Sequence, residues 1–566
     1  MKKSRLLLIF LLAINLSFSQ KKYPTDYFIN PLKIPLVLSG SFGELRSNHF
    51  HAGLDIKTQQ ATGLHVVAAA DGYVSRIKVS LWGYGRAVYV THPNGYTTVY
   101  GHLKKFSPAI EAYVRKKQYE KKSFVIQLYP KSTELKVKKG EVIAYSGNSG
   151  SSGGPHLHFE IRDVKANPIN PMLFGIDIPD HKKPRIINAV AYSANDTSHV
   201  NQSANHIDLV IKQQSNGDYL ANKIYAYGKI GIGINSTDRM DGALNNNGLY
   251  RLSMEVNGKK VFGYTVETFS FAESRYINDF IDYARFIKKQ QRIQKCFVEP
   301  RNKLSIYNDL VNKGYLDIKD SLEYRVKITA RDFKGNKTSL IIPVYGKKDS
   351  ILYPKKIRKT PDYFWADKTN TIKDSMITAI FPKNIFYNDF YFDYKFKDGI
   401  AYLHNPEVPV HKNFTLYFNV SKYPQDKIKH MYIARKNSTG RYYYNTTHHK
   451  GDKLYTYTKT LGNYTLVTDY DKPKIFPHNF KNNQNLDKKK YLIVRISDKG
   501  SGIKSYRAEI DGKWILMEYD PKNGKMVYDF NDHKFENTEH TLKVVVTDNV
   551  NNKTTYTAKF TKKFKP

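Results

Sequence analysis

Two histidine motifs in this sequence have residue types and spacings that suit a metal ion. His51 and Asp55 lie four residues apart, a spacing that returns both side chains to roughly one face of a strand or a helix. His156 and His158 lie two residues apart, so on a strand both imidazoles point to the same side. A loop of small residues at 146–155 precedes this pair and can bring backbone close to a bound group. Taken alone, each motif also fits a chance pair or two solvent-facing histidines, so the motifs carry weight mainly in combination.

Two histidines and one aspartate form a three-ligand set with an open fourth position, which is typical of a catalytic zinc rather than a structural one. A metal ion there lowers the pKa of a bound water toward neutrality and polarises a carbonyl group. A general base must still take the proton of that water. Because the sequence has no His-Glu-x-x-His motif, the candidates are His102, at the end of a predicted strand, and whichever imidazole of the His156 and His158 pair is not a ligand.

The elements that must position these residues are short strands separated by glycine turns between residues 33 and 174. Alternating β-branched and aromatic residues predict strands at 65–70, 73–79, 86–92, 97–103, 141–146 and 158–162. One interruption at 107–122 has apolar residues at a helix-like spacing after Pro108, and it predicts a short inserted helix. This part of the chain is therefore predicted to be an all-β domain.

With 566 residues, the chain is long enough for about three to five domains. After the first domain we predict three β-sandwich-like (Ig-like) modules, named the first, middle and last module, at 183–346, 375–470 and 473–566. The segment 328–338 resembles 546–554, and both read as strand, Asp-to-Asn turn and strand, the pattern of a final sandwich hairpin. A helical insertion is predicted near 274–294, where apolar residues fall on one helix face.

Residues 1–19 have the features of an export signal. Basic residues precede the apolar run at 6–14, and small residues follow it at the positions that a signal peptidase reads. No later apolar stretch reaches the roughly 20 residues needed to span a bilayer. We therefore expect a soluble mature protein, periplasmic or secreted, with no transmembrane segment.

The composition restricts the partners and the metal ligands. Ninety Lys and Arg residues against 51 Asp and Glu give a net charge of +39, which attracts polyanions. For an exported protein the expected polyanion is an acidic cell wall and not nucleic acid. Cys296 is the only cysteine, so neither an intramolecular disulfide nor a cysteine zinc cluster can form. Any metal must be held by histidine and carboxylate.

Five motifs of the chain resemble, in order, those of the M23 peptidases, the lysostaphin and LytM-type endopeptidases. They are His51-Ala52-Gly53-Leu54-Asp55, Gly63 with 66–74, Tyr100-Gly101-His102-Leu103, 137–143, and 147–150 with 154–160. The resemblance covers residues 35–175. This sequence departs from the family at Leu64-His65, where many members have a small residue and Pro, and at 104–137, which is longer than usual. The longer segment leaves the identity of the substrate more open than the chemistry.

The resemblance implies an antiparallel β-sheet peptidase domain, predicted at 20–178, that binds one Zn²⁺ ion through His51, Asp55 and His158. It also implies that His102 and His156 are catalytic, as imidazoles that orient or deprotonate the water and stabilise the oxyanion.

The leading hypothesis is an exported zinc endopeptidase that cuts peptide bonds in the cross-links or stem peptides of peptidoglycan. One alternative is a catalytically silent wall-binding or activator protein, since some relatives of the family have lost ligands. Another is a zinc protease that acts on extracellular protein. Peptidoglycan is the expected partner, and the β modules are expected to contact other proteins.

Overall fold

The computed structural model describes residues 22–563, so the predicted export signal at 1–19 lies outside the described residues. Strands dominate and helices are few, which confirms the predicted all-β class. Among residues 22–563, no helix combines the length and the apolar character needed to cross a membrane.

Residues 22–178 of the predicted N-terminal domain are built on two sheets. The strands are Leu38–Gly40 (β1), Leu54–Lys57 (β2), His65–Val67 (β3), Gly72–Val79 (β4), Arg86–Thr91 (β5), Thr97–Gly101 (β6), Lys105–Phe106 (β7), Ile126–Leu128 (β8), Lys136–Val137 (β9), Val142–Tyr145 (β10), His156–Arg162 (β11) and Pro168–Ile169 (β12). The larger sheet runs in the order β1-β2-β11-β6-β5-β4-β8, with every neighbouring pair antiparallel. Strands β3, β10 and β7 form the smaller sheet.

Strand β11 lies inside the larger sheet, between β2 and β6. It begins at His156 and not at residue 158, because His156 already pairs with Lys57 across β2. The predicted inserted helix is present as α1 (Pro108–Lys121), with Pro108 in its first turn and Lys122 in a left-handed conformation after its last residue (φ 47°). A proline is tolerated in the first turn because that backbone position needs no hydrogen-bond donor.

The N-terminal domain and the first module share one hydrophobic core. The ring of Phe269 in the first module packs against Phe42 and Phe50, with ring centroids 5.3 and 5.5 Å apart. The backbone N–H of Phe50 also donates to Ser274 Oγ at 2.8 Å. Because Phe50 directly precedes His51, the first module holds the start of the first histidine motif.

The first module consists mainly of strands and contains little helix. Its strands are Arg185–Ser193, His199–Val200, Ile207–Leu209, Ile211–Gln213, Tyr219–Ala221, Ile224–Thr237, Arg251–Val256, Lys259–Thr265, Gln294–Lys295, Tyr307–Asn308, Leu316–Ile318, Glu323–Arg331 and Lys337–Gly346. Short 3-10 turns lie at Pro171–Phe174 before it and at Asn312–Gly314 within it.

The helix predicted near 274–294 is wrong in its extent. The segment contains a 3-10 turn and two short helices, Ser274–Tyr276, Ile277–Phe280 and Tyr283–Lys289. Between the two helices Ile281 is extended and forms a β-bridge with Gln294. The carboxylate of Asp282 then accepts from the N–H of Arg285 and caps the second helix. Pairing with the sheet therefore interrupts the helix that the apolar periodicity predicted.

The middle module has two five-stranded sheets and one two-stranded sheet around a core of its own, and the last module has a four-stranded and a five-stranded sheet around another, so both are sandwich-like as expected. Strands that pair within the middle module begin at residue 362, before the predicted start at 375. The strands are Asp362–Phe364, Asn370–Lys373, Ile377–Phe381, Phe390–Phe392, Tyr394–Lys397, Ile400–Leu403, Phe414–Asn419, Met431–Lys436, Tyr442–Tyr444, His448–Lys450, Lys453–Thr458 and Gly462–Thr468, with one helical turn, Gln425–Ile428. The last module has strands Lys474–Pro477, Gln484–Asn485, Tyr491–Ser497, Ile503–Ile510, Lys513–Trp514, Glu518–Asp520, Lys525–Asp529, Glu539–Asp548 and Lys553–Thr561.

The repeated segment forms a hairpin in both places, as predicted. Glu323–Arg331 pairs with Lys337–Gly346 in the first module, and Glu539–Asp548 pairs with Lys553–Thr561 in the last.

The last module folds back onto helix α1 of the N-terminal domain. The guanidinium of Arg115 pairs with Asp532 Oδ2 at 2.5 Å and with Glu518 Oε1 at 2.9 Å, and Arg86 reaches the other oxygen of Glu518 at 2.8 Å. The ring of Tyr119 stacks on His533 with centroids 4.7 Å apart. The inserted helix therefore serves as the docking platform for a module that begins more than 350 residues later in the chain.

We expect Arg115→Ala to loosen this docking. The substitution leaves Glu518 and Asp532 with less countercharge, and hydrogen bonds to charged groups contribute about 1.5 to 3 kcal/mol each. Amide hydrogen exchange in α1 and in Glu518–Asp520 should therefore become at least about tenfold faster. Arg507→Ala is the matched control, because Arg507 pairs only with the neighbouring Glu509 on the exposed face of the same module. Exchange that is equal in the two variants would contradict the docking role of Arg115.

Candidate metal centre

Pairing between β2 and β11 brings the two histidine motifs together. His158 lies directly opposite Asp55 across β2 and opposite Gly101 across β6. Leu157 and Phe159, the residues on either side of His158, are fully buried in the hydrophobic core. Because successive side chains of a strand point to opposite faces, His156 and His158 share the other face, as predicted. The sequence alone gives the spacing within each motif, whereas the register of this sheet gives the distance between them.

Three ligand-type atoms converge at this point. The Oδ1 atom of Asp55 is 3.0 Å from His51 Nε2 and 2.8 Å from His158 Nδ1, and these two nitrogens are 3.2 Å apart. All three side chains are buried. Among the described residues, these three side chains form one of the clusters whose ligand-type atoms lie close enough together to hold a metal ion. The two nitrogens and one oxygen suit zinc, which binds imidazole and carboxylate.

The outward nitrogen of each imidazole is already engaged, which fixes the tautomer that faces the site. His51 Nδ1 donates to the carbonyl of Ser41 at 2.8 Å, so its Nε2 carries the lone pair. His158 Nε2 donates to Glu160 Oε1 at 2.7 Å, which turns its Nδ1 toward Asp55. Outer acceptors of this kind are typical of histidines that bind metals.

Glu160 is the group that holds His158 in place. Burial alone would raise the pKa of Glu160, but the charge of Arg162 and the hydrogen bond from His158 outweigh it and hold that pKa at about 2. Arg162 Nε contacts Glu160 at 2.6 Å, and the Tyr84 hydroxyl donates to the same carboxylate. Tyr84 also stacks on the ring of His158, with centroids 4.9 Å apart. Glu160 is thus an anion that orients His158 and does not face the site as a base.

Both carboxylate oxygens of Asp55 have partners that stabilise its negative charge. Arg46 Nη2 donates to Oδ2 at 2.9 Å, while Oδ1 faces the imidazoles. Burial acts to raise the pKa of Asp55, yet the neighbouring His51, His156 and His158 keep it well below its ordinary value. A ligand carboxylate must be ionised to bind a metal, and this environment keeps Asp55 in its ionised form.

His102 and His156 lie beside the three converging residues, with their rings 4.7 Å apart. The small-residue loop orients both of them: His102 Nδ1 donates to the carbonyl of Ser149 at 2.9 Å, and His156 Nδ1 donates to that of Gly154 at 2.9 Å. His156 Nε2 lies 3.4 Å from Asp55 Oδ1 and so faces the site. Burial and the nearby imidazoles lower the pKa of His102 to about 3, so this ring is neutral.

The structure therefore brings all five predicted site residues into one cluster. Sequence reasoning missed three residues that support it, namely Arg46, Tyr84 and Glu160 as the orienting acceptor. Glu160 had a signal, since it lies two residues after His158 on the same strand face. Arg46 and Tyr84 had none, because their contacts depend on how loops return to the sheet. His49, two residues before His51, is exposed and bonds to Asn48.

The sequence profile of Peptidase family M23 matches residues 49–120 and 125–171, the part of the chain that contains all five histidine and aspartate positions. The chain carries an M23 peptidase domain. This match supports hydrolase chemistry of the metallopeptidase type for the domain. A second profile, of the Zu5-like domain, matches residues 361–469 and overlaps the predicted middle module.

The matches to relatives each cover about a quarter of this chain. The chain is similar to the DD-carboxypeptidase/endopeptidase Mpg of Neisseria meningitidis serogroup B, with 34% identity over 136 residues that cover 24% of this chain and 25% of Mpg. It is 37% identical over 122 residues to an uncharacterised metalloprotease of Haemophilus influenzae, covering 22% and 20% of the two chains. It is 28% identical over 151 residues to the cell division protein DipM of Caulobacter vibrioides, covering 26% and 20%. The chain thus spans about a quarter or less of the length of these relatives.

We expect Glu160→Gln to weaken metal binding without removing a ligand. An amide offers His158 a neutral and weaker acceptor, and loss of such outer partners typically costs about 10- to 100-fold in metal affinity. Competition with a zinc-binding dye measures this change directly. Glu141→Gln is the matched control, because Glu141 caps an exposed turn by accepting from the N–H of Lys138. Unchanged zinc affinity in Glu160→Gln would show that Glu160 does not orient a ligand.

Proposed function

We propose that this protein is an exported zinc endopeptidase that hydrolyses peptide bonds in the cross-links or stem peptides of peptidoglycan. The observation that carries the proposal is the convergence of His51, Asp55 and His158, whose ligand-type atoms lie within 3.2 Å of one another. The M23 profile match and the name of the Neisseria relative, a DD-carboxypeptidase/endopeptidase, favour the same chemistry.

In this proposal His51 Nε2, Asp55 Oδ1 and His158 Nδ1 hold one Zn²⁺ ion. When bound, zinc supplies a water of lowered pKa and polarises the carbonyl of the peptide bond. The protein contributes a preset ligand geometry, since Ser41 and Glu160 already hold the outward nitrogens of the two histidines. His158 must lose a proton before it binds. Burial opposes its charge, but Asp55 and Glu160 raise its pKa to about 9 in the metal-free protein.

His102 and His156 are proposed to move the protons. Each ring donates its Nδ1–H to a loop carbonyl, so each Nε2 has a lone pair that can accept a proton from the attacking water. A ring that has taken up this proton becomes a donor at Nε2. It can then stabilise the oxyanion and pass the proton to the leaving amine. Either of the two imidazoles, whose ring centroids are only 4.7 Å apart, can therefore act first as the base that accepts the proton of the water and then as the acid that donates it.

The substrate class rests on charge and on the features of an exported chain. A net charge of +39 favours residence on an anionic wall. The predicted export signal would deliver the protein to that compartment. Arg86 and Lys104, together with Glu518, Asp520 and Lys525 of the last module, line a cavity beside the small-residue loop. We propose that the modules affect where the peptidase acts, whereas the N-terminal domain contains the residues that hydrolyse the peptide bond.

Digestion of purified peptidoglycan, with mass analysis of the released fragments, tests this function. We expect the wild-type protein to release peptides cut at an amide bond. His102→Ala and His156→Ala should keep zinc and lose about 10² to 10⁴ in rate, the usual contribution of general acid-base catalysis. Asp55→Ala should lose both zinc and activity.

His65→Ala is the matched control, because His65 is exposed on β3 of the same domain. It should cut at the wild-type rate. A zinc-loaded wild-type protein that releases no fragment from peptidoglycan but cuts an unrelated protein would overturn the proposed substrate. Wild-type rates in His102→Ala or His156→Ala would overturn the role given to that residue.

A further inference from the structure

Outside the candidate metal centre, three buried aspartates meet where the N-terminal domain joins the first module. Asp180 lies in the linker, Asp238 directly follows the strand Ile224–Thr237, and Asp332 follows the strand Glu323–Arg331. One carboxylate oxygen of each lies within 4.8 Å of the others. The three side chains, named here the first acidic triad, are 5%, 0% and 1% exposed.

The first acidic triad has no countercharge among residues 22–563. No lysine, arginine or histidine in that range forms an ion pair with any of its three members. Both carboxylate oxygens of the fully buried Asp238, and Oδ2 of Asp180, lack any hydrogen-bond partner in the described part of the chain. Burial and the neighbouring carboxylates raise the pKa of Asp238 to about 8. Because unpaired buried carboxylates are strongly unfavourable, a cation bound among the three would stabilise them.

The same arrangement occurs a second time, where the middle module joins the last. Asp469 lies at the start of the linker, Asp498 directly follows the strand Tyr491–Ser497, and Asp548 ends the strand Glu539–Asp548. Their oxygens also lie within 4.8 Å of one another, and this set is named the second acidic triad. Here too a buried oxygen, Oδ1 of Asp498, lacks a partner within the described chain.

The hydrogen bonds around the third aspartate are the same in both triads. Asn336, four residues after Asp332, donates its N–H and Nδ2 to that carboxylate and Nδ2 also to the Asp180 carbonyl at 3.1 Å. Asn552, four residues after Asp548, makes the same contacts, with Nδ2 reaching the Asp469 carbonyl at 2.9 Å. The two copies of the repeated segment therefore form the same hydrogen-bonded arrangement.

The strand pairing next to the two acidic triads is equivalent as well. In each linker a proline follows the first aspartate by four residues, and a threonine two residues after the asparagine donates to its carbonyl: Thr338 to Pro184 and Thr554 to Pro473. The residue after each proline pairs with the residue before the second aspartate, as Arg185 with Thr237 and as Lys474 with Ser497. The carboxylates thus occupy matching places in two modules.

We propose that each acidic triad binds one Ca²⁺ ion, which fastens the linker to the β module that follows it. The side-chain atoms of each triad that could bind a cation are carboxylate oxygens. Hard cations such as Ca²⁺ and Mg²⁺ take oxygen ligands, whereas zinc takes imidazole and thiolate as well. Ca²⁺ accepts irregular sets of oxygens at 2.3–2.6 Å, while Mg²⁺ requires a near-ideal octahedron and keeps its waters. The sites are independent of the zinc centre and of the proposed peptidase activity.

Equilibrium dialysis of the full mature chain against Ca²⁺, followed by elemental analysis, tests this assignment. Extracellular modules bind Ca²⁺ with dissociation constants on the order of 10⁻⁴ to 10⁻³ M, so the Ca²⁺ concentration should reach about 5 mM. We expect two Ca²⁺ ions per wild-type chain, one for Asp238→Asn, one for Asp498→Asn and none for the double variant. Mg²⁺ at the same concentration should not displace them.

Two further variants make the result specific. Asp177→Asn alters an exposed linker aspartate that pairs with Lys334 and should keep two Ca²⁺ ions. Asp55→Asn, which alters the candidate zinc centre, should also keep two, so failure of the proposed peptidase function would leave this result intact. Fewer than two ions on the wild-type chain, or an unchanged number in Asp238→Asn or Asp498→Asn, would overturn the assignment for the triad concerned.

Thermal unfolding separates cation binding from a purely structural role. Ca²⁺ should raise the melting temperature of the wild-type chain, because a ligand that binds only the folded state stabilises it. Without Ca²⁺, Asp238→Asn should melt no lower than the wild type, since the amide has nearly the same shape and replaces a carboxyl group that has no hydrogen-bond partner in the described part of the chain. If this variant were instead less stable only in the absence of Ca²⁺, the carboxylate would serve the fold and not a cation, and the proposal would be wrong.

Discussion

The carboxylate of Asp55, buried between imidazoles, is the interaction on which the rest of the N-terminal domain depends. Its Oδ1 faces His51 and His158, and its Oδ2 faces Arg46. A buried carboxylate is tolerated only with partners of this kind, because the cost of removing it from water must be offset by charge and hydrogen bonds. The same constraint explains why each outward imidazole nitrogen has an acceptor of its own, since a ring that rotated freely would leave Asp55 without its partner.

Support for this group comes from parts of the chain that lie far apart in sequence. The first module holds the backbone of Phe50, next to His51, through Ser274 and the ring of Phe269. The last module reaches the loop that orients His102 and His156, where Lys522 Nζ donates to the carbonyl of Ser152 at 3.0 Å. The modules are therefore part of the scaffold of the site, in addition to any binding role of their own.

Much of the candidate site could be predicted because it depends on local periodicity. The period of two places His156 and His158 on one face of β11, whereas the resemblance to the M23 peptidases, and not periodicity, relates them to His51 and Asp55. The docking of Arg115 on Asp532 could not be predicted, because no local pattern reports a contact between residues 417 positions apart. The helical insertion near 274–294 is shorter and more interrupted than predicted for a related reason: the bridge from Ile281 to Gln294 is a tertiary contact that overrides helical periodicity. The repeat at 328–338 and 546–554 predicted two hairpins, but the acidic triads depend on linker residues outside it.

Anomalous X-ray diffraction at the zinc absorption edge, on crystals of the zinc-loaded protein, tests the central claim most directly. The account predicts one zinc peak in the N-terminal domain, about 2.0 to 2.2 Å from His51 Nε2, an Asp55 oxygen and His158 Nδ1, with His102 and His156 unbound. A zinc ion bound by His102 or His156 in place of one of these ligands, or no zinc peak at Asp55, would contradict it.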